Sequence, residues 1–246
     1  MFNFLKTQKD DFTARLTPER NLAQAISEAK IESLTSITKL TIVGTMTKAD
    51  FKFICKKLSK SLQELDISNA SWEEKKLRRG AFARCIGLNS VTLPNWITEI
   101  SDCAFSHCIS LKSVTIPQSV TEIGDLAFWG CVGLYSVVIP DSVTAIGFRA
   151  FNNTGLTSVQ IPNSVVKIGG NAFGWCVDLA TVTLPDSLVE IGNGAFSGCT
   201  GLTAIDIPKS VTKIGEWIFE GCELFVTVHP DNPFYASIDG KLVMKN

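Results

Sequence analysis

The chain of 246 residues is poor in histidine, the side chain that most often acts as a general acid or base in enzymes. It has only two histidines, His107 and His229, and neither stands in a metalloprotease, kinase or hydrolase motif. Its glycines recur at a fixed interval instead of clustering in a phosphate-binding loop. Neighbouring acids such as Glu73 and Glu74 are most simply solvated charges. We therefore expect no catalytic residue, no enzyme activity and no cofactor.

The sequence also lacks an excess of charge of either sign. Lys and Arg number 23 and Asp and Glu 24, so the formal charge is −1, and like charges form no block. Nucleic acids and anionic membranes bind basic surfaces, so neither is expected as a partner. No apolar run reaches the roughly 18–20 residues of a membrane span. The protein is expected to have no such span.

The N-terminus lacks the long apolar segment of a secretory signal. Residues 1–16, MFNFLKTQKDDFTARL, carry charges at Lys9, Asp10 and Asp11. Two interpretations stay open: the protein acts inside the cell, or its signal has been removed.

What the sequence does contain is an internal repeat, which decides the fold class. Successive units read DCAFSHCISLKSVTIPQSVTEIG and DLAFWGCVGLYSVVIPDSVTAIG, and five more copies, some degraded, can be aligned with them. One phenylalanine per unit recurs at intervals of 23, 23, 23, 22, 23 and 23 residues. This Phe ladder consists of Phe82, Phe105, Phe128, Phe151, Phe173, Phe196 and Phe219. Prolines form a second series at 94, 117, 140, 162, 185 and 208.

Each part of the unit predicts a local structure. The alternation of Val114, Thr115 and Ile116 predicts a half-buried strand, which Pro117 ends because it has no N–H to donate. The stretch SVTEI predicts a second short strand, with Val120 and Ile123 inward and Glu122 outward. Stacked units then form one continuous core.

The corner between units has its own pattern. Gly124 is expected to supply backbone freedom, and DLAFWGC to form a helical turn that buries Phe128 and Cys131. One unit has only 22 residues because a residue is missing between Phe151 and Leu156, where its neighbours have cysteine. We expect a tightened corner there, with strand register preserved.

Six of the eight cysteines share one repeat position, which indicates buried free thiols acting as small apolar side chains. Neighbouring thiols would be about 5 Å apart but parallel, a poor geometry for disulfides. This Cys column consists of Cys85, Cys108, Cys131, Cys176, Cys199 and Cys222. Cys103, His107 and Cys108 cluster, but no fourth zinc ligand is evident, and no metal site is expected.

The repeat resembles the BspA-like, Treponema pallidum-type leucine-rich repeat, with its pattern L-x-x-V-x-I-P-x-x-V-x-x-I-G-x-x-A-F-x-x-C. The resemblance covers about residues 80 to 230, and the flanks LTSITKLTIVGTMTKADFKFICKKLSKSLQELDIS and VHPDNPFYASIDGKLV resemble the family's usual end segments. It implies a leucine-rich-repeat solenoid of short β-strands and helical turns. It further implies a surface or secreted protein of gut or oral bacteria, or of some protozoa, that adheres to host or neighbouring-cell molecules.

The two ends are expected to cap this array in one continuous domain. We predict an N-terminal cap with a helix and an atypical repeat over residues 1–79, the array over 80–222, and a capping hairpin over 223–246. The cap would contain a helix with Thr17 as N-cap and Pro18 first, a strand Thr38–Gly44, a helix from Thr47 to about Leu58, and a strand Leu62–Ser68. Ile238-Asp-Gly-Lys-Leu predicts the hairpin turn.

Large side chains at variable repeat positions are the candidate binding residues. They are Trp129, Trp175, Tyr135, Arg84, His107 and Asn153. Trp and Arg dominate protein interfaces, whereas the strand face carries mostly small side chains. The first expectation is therefore a monomeric adhesion or protein-binding module whose partner is a protein, with host extracellular proteins among the candidates. A glycan-binding module, suggested by the two tryptophans, and an intracellular scaffold are the alternatives.

Overall fold

The computed structural model describes residues 11–245; the first ten residues, on which the expectation about a signal partly rests, lie outside them. The described chain winds into a solenoid in which each turn adds one strand to each of two parallel rows. The repeat-solenoid fold predicted from the sequence is confirmed. Of the helices within residues 11–245, none has the length and apolar character that a bilayer crossing needs.

The first row begins in the N-terminal cap and continues through the strand of each repeat. Its strands are β1 (Asp11–Leu16), β2 (Lys39–Thr45), β3 (Glu64–Ser71), β5 (Ser90–Thr92), β7 (Ser113–Thr115), β9 (Ser136–Val138), β11 (Ser158–Gln160), β13 (Thr181–Thr183), β15 (Ala204–Ile207) and β17 (Phe225–Val228). The ladder runs unbroken from β1 to β9 and then divides into the pairs β11–β13 and β15–β17.

The second row is a sheet of two-residue strands. They are β4 (Lys76–Leu77), β6 (Glu99–Ile100), β8 (Glu122–Ile123), β10 (Ala145–Ile146), β12 (Lys167–Ile168), β14 (Glu190–Ile191) and β16 (Lys213–Ile214). All pair in parallel. As predicted, Val120 and Ile123 are buried between the rows while Glu122 is exposed.

The Phe ladder stacks through the centre of the array. The rings of Phe128 and Phe151 lie 5.2 Å apart between centroids and only 4° from parallel. Six of the seven phenylalanines are completely buried, and the last, Phe219, is only partly covered. One apolar column therefore joins every unit to the next.

The corner expected to be a helical turn is instead a run of β-turns. Leu126 and Gly130 have left-handed backbone, with φ of 58° and 71°. The N–H of Phe128 donates to the carbonyl of Ala150 in the next turn of the solenoid, over 2.7 Å. An α-helix is about 10 Å across, so it does not fit turns stacked 5.2 Å apart. The backbone groups bond between turns instead.

The glycine that precedes each corner is required by close packing. Gly124 does not have the left-handed backbone that the sequence interpretation implied. A Cβ on it would lie 2.8 Å from the backbone N of Asp102 in the preceding turn. On Gly147, a Cβ would lie 2.6 Å from the carbonyl carbon of Gly124. Successive backbones approach too closely here for any side chain.

The 22-residue unit retains the repeat position of the Cys column, filled by threonine, contrary to the expectation that this position is lost. Thr154 is buried there, and its Oγ1 lies 3.1 Å from Sγ of Cys176. The missing residue is the exposed one that follows. In the second row the register is preserved, with Ala145 opposite Lys167. The first row is divided between β9 and β11, but it also divides after β13, where no residue is missing.

The N-terminal cap contains a strand that the sequence interpretation missed. β1 shows the alternating burial of a strand with one face on the core. Thr17 and Arg20 then form a bridge, so Pro18 lies in a turn and the predicted N-cap at Thr17 is wrong. Helix α1 (Leu22–Glu28) begins after Asn21, whose side chain accepts from the N–H of Gln24 in a capping box.

The rest of the cap follows the prediction closely. Helix α2 (Lys48–Phe53) is capped by Thr47 and continues as a π-helical segment, Ile54–Leu58. β2 and β3 are the two expected parallel strands. They join the cap to the array, because β3 pairs with β5.

The C-terminal hairpin is also confirmed. β18 (Tyr235–Ile238) and β19 (Lys241–Met244) are antiparallel around Asp239 and Gly240, both with left-handed φ. The hydroxyl of Tyr235 accepts from the N–H of Ile214 at 2.9 Å, which ties the hairpin to the last strand of the second row.

Candidate functional site

Four of the six candidate binding residues share one repeat position, two residues after the ladder phenylalanine. These are Arg84, His107, Asn153 and Trp175, and all have left-handed backbone with φ between 55° and 61°. The other units place a glycine there, at Gly130, Gly198 and Gly221. In every unit before Gly221, this position is fixed by a backbone hydrogen bond to the next turn, such as Trp175 N–H to the Ser197 carbonyl at 2.7 Å.

The glycines at this position make room for the large side chains of the preceding turn. A Cβ on Gly198 would lie 3.0 Å from the indole of Trp175. A Cβ on Gly130 would lie 2.6 Å from the ring of His107. Each ring therefore lies over the bare backbone of the next unit, which holds it in place.

Trp129, the fifth corner candidate, does not share this position. It follows Phe128 directly, one residue earlier in the unit than Trp175 in its own. Its ring is half-buried and lies 4.3 Å from the ring of His107, measured between centroids. Trp175 is 59% exposed. The two indoles, both candidate binding residues, therefore differ in repeat position and in accessibility.

An exposed apolar column beside these residues was missed in the sequence. Ile109, Val132 and Val177 each follow a buried cysteine, and all three are exposed. Their apolar character resembles that of core residues, so only the fold separates them from the core. The corner surface is defined as this column together with the five candidates beside it: Arg84, His107, Ile109, Trp129, Val132, Asn153, Trp175 and Val177.

Tyr135 stands apart from the corner turns. It directly precedes β9 of the first row and is 53% exposed. The strand face beyond it is mostly small and polar, with Ser113 and Thr115 exposed and Val138 as an apolar exception. An open cleft of about 480 Å³ lies where this face meets the proline corner, lined by Val138, Gln160 and Thr183 among others.

The thiols of the Cys column are committed to the core. Cys108 Sγ donates to the carbonyl of Phe82 at 3.1 Å, and equivalent bonds recur along the array. Burial raises the pKa of the Cys176 and Cys199 thiols. No cluster of three or more metal-ligating side chains occurs among residues 11–245. In the Cys103, His107 and Cys108 group, the thiol of Cys108 faces the Phe82 carbonyl.

Comparison with known proteins agrees with this geometry. The profile of the BspA type leucine rich repeat region matches six copies, over residues 52–180 and 166–235. No curated protein matches the chain. A leucine-rich repeat protein from Bacteroides ovatus has a similar structure, with 30% identity and a TM-score of 0.64 over 71% of this chain and 47% of that one.

Two further structures share the fold. The T. pallidum leucine rich repeat protein is 30% identical, with a TM-score of 0.54 over 66% of this chain and 71% of that one. The pneumococcal vaccine antigen PcpA is 23% identical, with a TM-score of 0.55 over 74% of this chain and 44% of that one. The chain thus spans about half the length of the B. ovatus and pneumococcal proteins. On the family match, which extends over well over half of its residues, the chain belongs to the BspA-type leucine-rich-repeat family.

Proposed function

We propose that the protein is a non-catalytic protein-binding module that uses the corner surface for adhesion. The observation that carries this proposal is the placement of large and varied side chains, among them the exposed Arg84, Asn153 and Trp175, on a backbone fixed by hydrogen bonds between turns. Elsewhere the array mostly repeats the same small or buried residues. We further propose that it acts as a monomer, with the array (80–222) presenting this surface between its two caps.

The composition of the corner surface suits a protein partner. Trp175 and Arg84 are of the residue types that dominate binding energies at protein interfaces. Ile109, Val132 and Val177 add apolar area that binding would remove from water. Because the backbone beneath is already ordered, little conformational entropy is lost when a partner docks.

The relatives support a location at the cell surface or outside the cell. One structural neighbour is named a pneumococcal vaccine antigen, a description typical of proteins exposed to a host. The family as a whole consists of leucine-rich-repeat proteins, a class that generally binds other proteins and is generally non-enzymatic.

The experiment is a binding screen with two arms. The protein is passed over purified extracellular-matrix and cell-surface proteins by biolayer interferometry, and in parallel over a glycan array. The proposal expects at least one protein partner that still binds after enzymatic deglycosylation. Binding that disappears on deglycosylation would instead support the glycan-binding alternative. A partner found only among cytoplasmic proteins of the source cell would favour the intracellular scaffold.

A further inference from the structure

A side-chain ladder links successive turns just before each corner. The position after the corner glycine, or after Ser101 in the first of these units, carries Asp102, Asp125 and Asn193. Each of these side chains accepts the backbone N–H of the same position one turn later. Asp125 Oδ1, for example, accepts from Phe148 N–H at 2.7 Å. We call this position the cap column; it consists of Asp102, Asp125, Phe148, Gly170, Asn193 and Glu216.

The cap column is interrupted in the middle of the array. Phe148 and Gly170 offer no side-chain oxygen, so the next turns lack their acceptor. The N–H groups of Gly170 and Asn193 accordingly have no hydrogen-bond partner among residues 11–245. They belong to successive turns, whose ladder rings Phe173 and Phe196 lie 5.6 Å apart. Two adjacent donors therefore remain available to an external acceptor.

An open cleft of about 560 Å³ is lined by both of these residues. Its lining includes the bare backbone of glycines such as Gly170 and Gly192 and two exposed aromatic residues. Phe148 is 42% exposed and Trp217 is 67% exposed. The guanidinium carbon of Arg149 lies 5.0 Å from the centroid of Phe148.

The charged side chains along the cleft cancel. Lys213 and Lys167 both contact Glu190, at 3.1 and 3.5 Å, and Glu220 is the fourth charged residue of the lining. Two lysines and two glutamates leave no net charge. The cleft thus combines apolar ring surface, unpaired donors and lining side chains whose charges cancel.

We propose that this cleft binds a neutral saccharide, with one sugar ring against the exposed part of Phe148 and neighbouring oxygens accepting the N–H groups of Gly170 and Asn193. A sugar ring offers both an apolar face and adjacent hydroxyl oxygens, which matches an aromatic ring beside two donors. A peptide strand matches less well, because it pairs with donors and acceptors that alternate along one strand. One turn earlier, the Asp125 carboxylate oxygen accepts the N–H of Phe148, which shows that an oxygen acceptor can reach the equivalent backbone N–H.

The test uses amide NMR spectra of the ¹⁵N-labelled protein titrated with cellobiose, chitobiose, lactose and maltotriose. We expect at least one of them to shift the Gly170 and Asn193 amides in a saturable manner. Phe148→Asp should abolish this response, or weaken affinity by roughly tenfold or more. The new carboxylate restores the internal acceptor, so the melting temperature should not fall. Trp217→Ala, at an exposed position, should weaken binding without unfolding the protein.

Tyr135→Ala is the matched control, since it removes an exposed aromatic outside the cleft and should leave the amide shifts unchanged. The proposal is overturned if no saccharide shifts the two amides, or if Phe148→Asp and Trp217→Ala both bind as the parent does. Tighter binding of glucuronate-containing disaccharides would overturn the assignment of a neutral ligand. Trp175 lies outside the cleft, so Trp175→Ala should leave saccharide binding unchanged. The protein-binding proposal can therefore fail or stand independently of this one.

Discussion

At the scale of single residues, the Phe ladder concentrates stability in a few side chains. Phe151 is fully buried, with its neighbours' ring centroids 5.2 and 5.4 Å away. Stacking of this kind adds to the free energy gained from burial alone. Each ring also holds the turn before it and the turn after it, so one substitution disturbs three units.

Phe151→Ala should lower the free energy of unfolding by roughly 3–5 kcal/mol, because it removes a large buried side chain and leaves a cavity. Thr115→Ala, on the exposed strand face, should cost less than about 0.5 kcal/mol. Urea unfolding followed by circular dichroism measures both. Equal losses for the two variants would contradict the assigned inward and outward faces.

Because of the buried thiols, the free energy of unfolding should decrease at alkaline pH. Burial raises the pKa of Cys176 and Cys199, and a hydrogen bond with Cys131 together with burial raises that of Cys108. An unfolded thiol ionises near pH 8.5. Above that pH the unfolded state releases protons that the folded state keeps, so stability is complete below about pH 8.5 and declines as pH rises.

The predicted decline is about 1.4 kcal/mol per pH unit for each such thiol above the unfolded pKa. Melting temperatures measured between pH 7.5 and 9.5 under reducing conditions should fall accordingly. Cys176→Ala should show a shallower pH dependence than the parent chain, whatever its own stability. A flat profile in the parent would mean that the thiols ionise as easily folded as unfolded.

At the scale of elements, the N-terminal cap depends on one buried carboxylate. Asp50 accepts from the N–H and the hydroxyl of Thr47 at 2.7 Å, which caps α2. It also accepts from the N–H of Leu22 at 2.6 Å, at the start of α1. Its side chain is buried, so these bonds replace water completely. Asp50 thereby fixes both helices against each other.

Asp50→Ala should cost about 3 kcal/mol or more, because several charge-assisted hydrogen bonds to buried donors are lost. Glu28→Ala is the matched control: it removes a carboxylate that pairs with Arg20 at the surface, and it should cost under about 1 kcal/mol. Chemical unfolding of the two variants provides the comparison. A loss at Asp50 no larger than at Glu28 would show that the cap does not depend on this residue.

The corner glycines fix the spacing between turns. Gly147→Ala places a Cβ 2.6 Å from backbone of the preceding turn, so the turns must separate. Gly221 has left-handed backbone, but a Cβ built on it would have no heavy atom closer than 3.8 Å. Alanine at Gly221 should therefore cost only about 1 kcal/mol, for its backbone conformation. We expect Gly147→Ala to cost clearly more in thermal unfolding; a smaller loss would refute close packing as its cause.

The sequence predicted those elements that are determined by residues within one repeat unit. The strands at Val114 and Ile123 follow from alternation, and the hairpin at Asp239 follows from its turn residues. The corner and the cap column depend on bonds between equivalent positions of different units, such as Asp125 to Phe148. These appear only when the units are stacked. The N-cap at Asn21 was missed because β1 displaces the start of the helix.

At the scale of the whole molecule, stability and binding are assigned to different columns of the same repeat. Inward columns of Phe, Cys, Val and Ile recur with little change, and they support each turn through its neighbours. The corner surface varies from turn to turn, with Arg84, Asn153 and Trp175 at one position. The sequence identified this variation, but Trp129 shows that variability alone does not establish exposure.

The central claim is that the corner surface, and not the strand face, binds the partner. Once a partner is found in the screen, its dissociation constant is measured for the parent, Trp175→Ala and Thr115→Ala. Trp175→Ala should weaken binding roughly tenfold or more, the effect typical of an interface tryptophan, with a nearly unchanged melting temperature. Thr115→Ala should bind as the parent does. Full affinity in Trp175→Ala together with a loss in Thr115→Ala would contradict the account and place the interface on the strands.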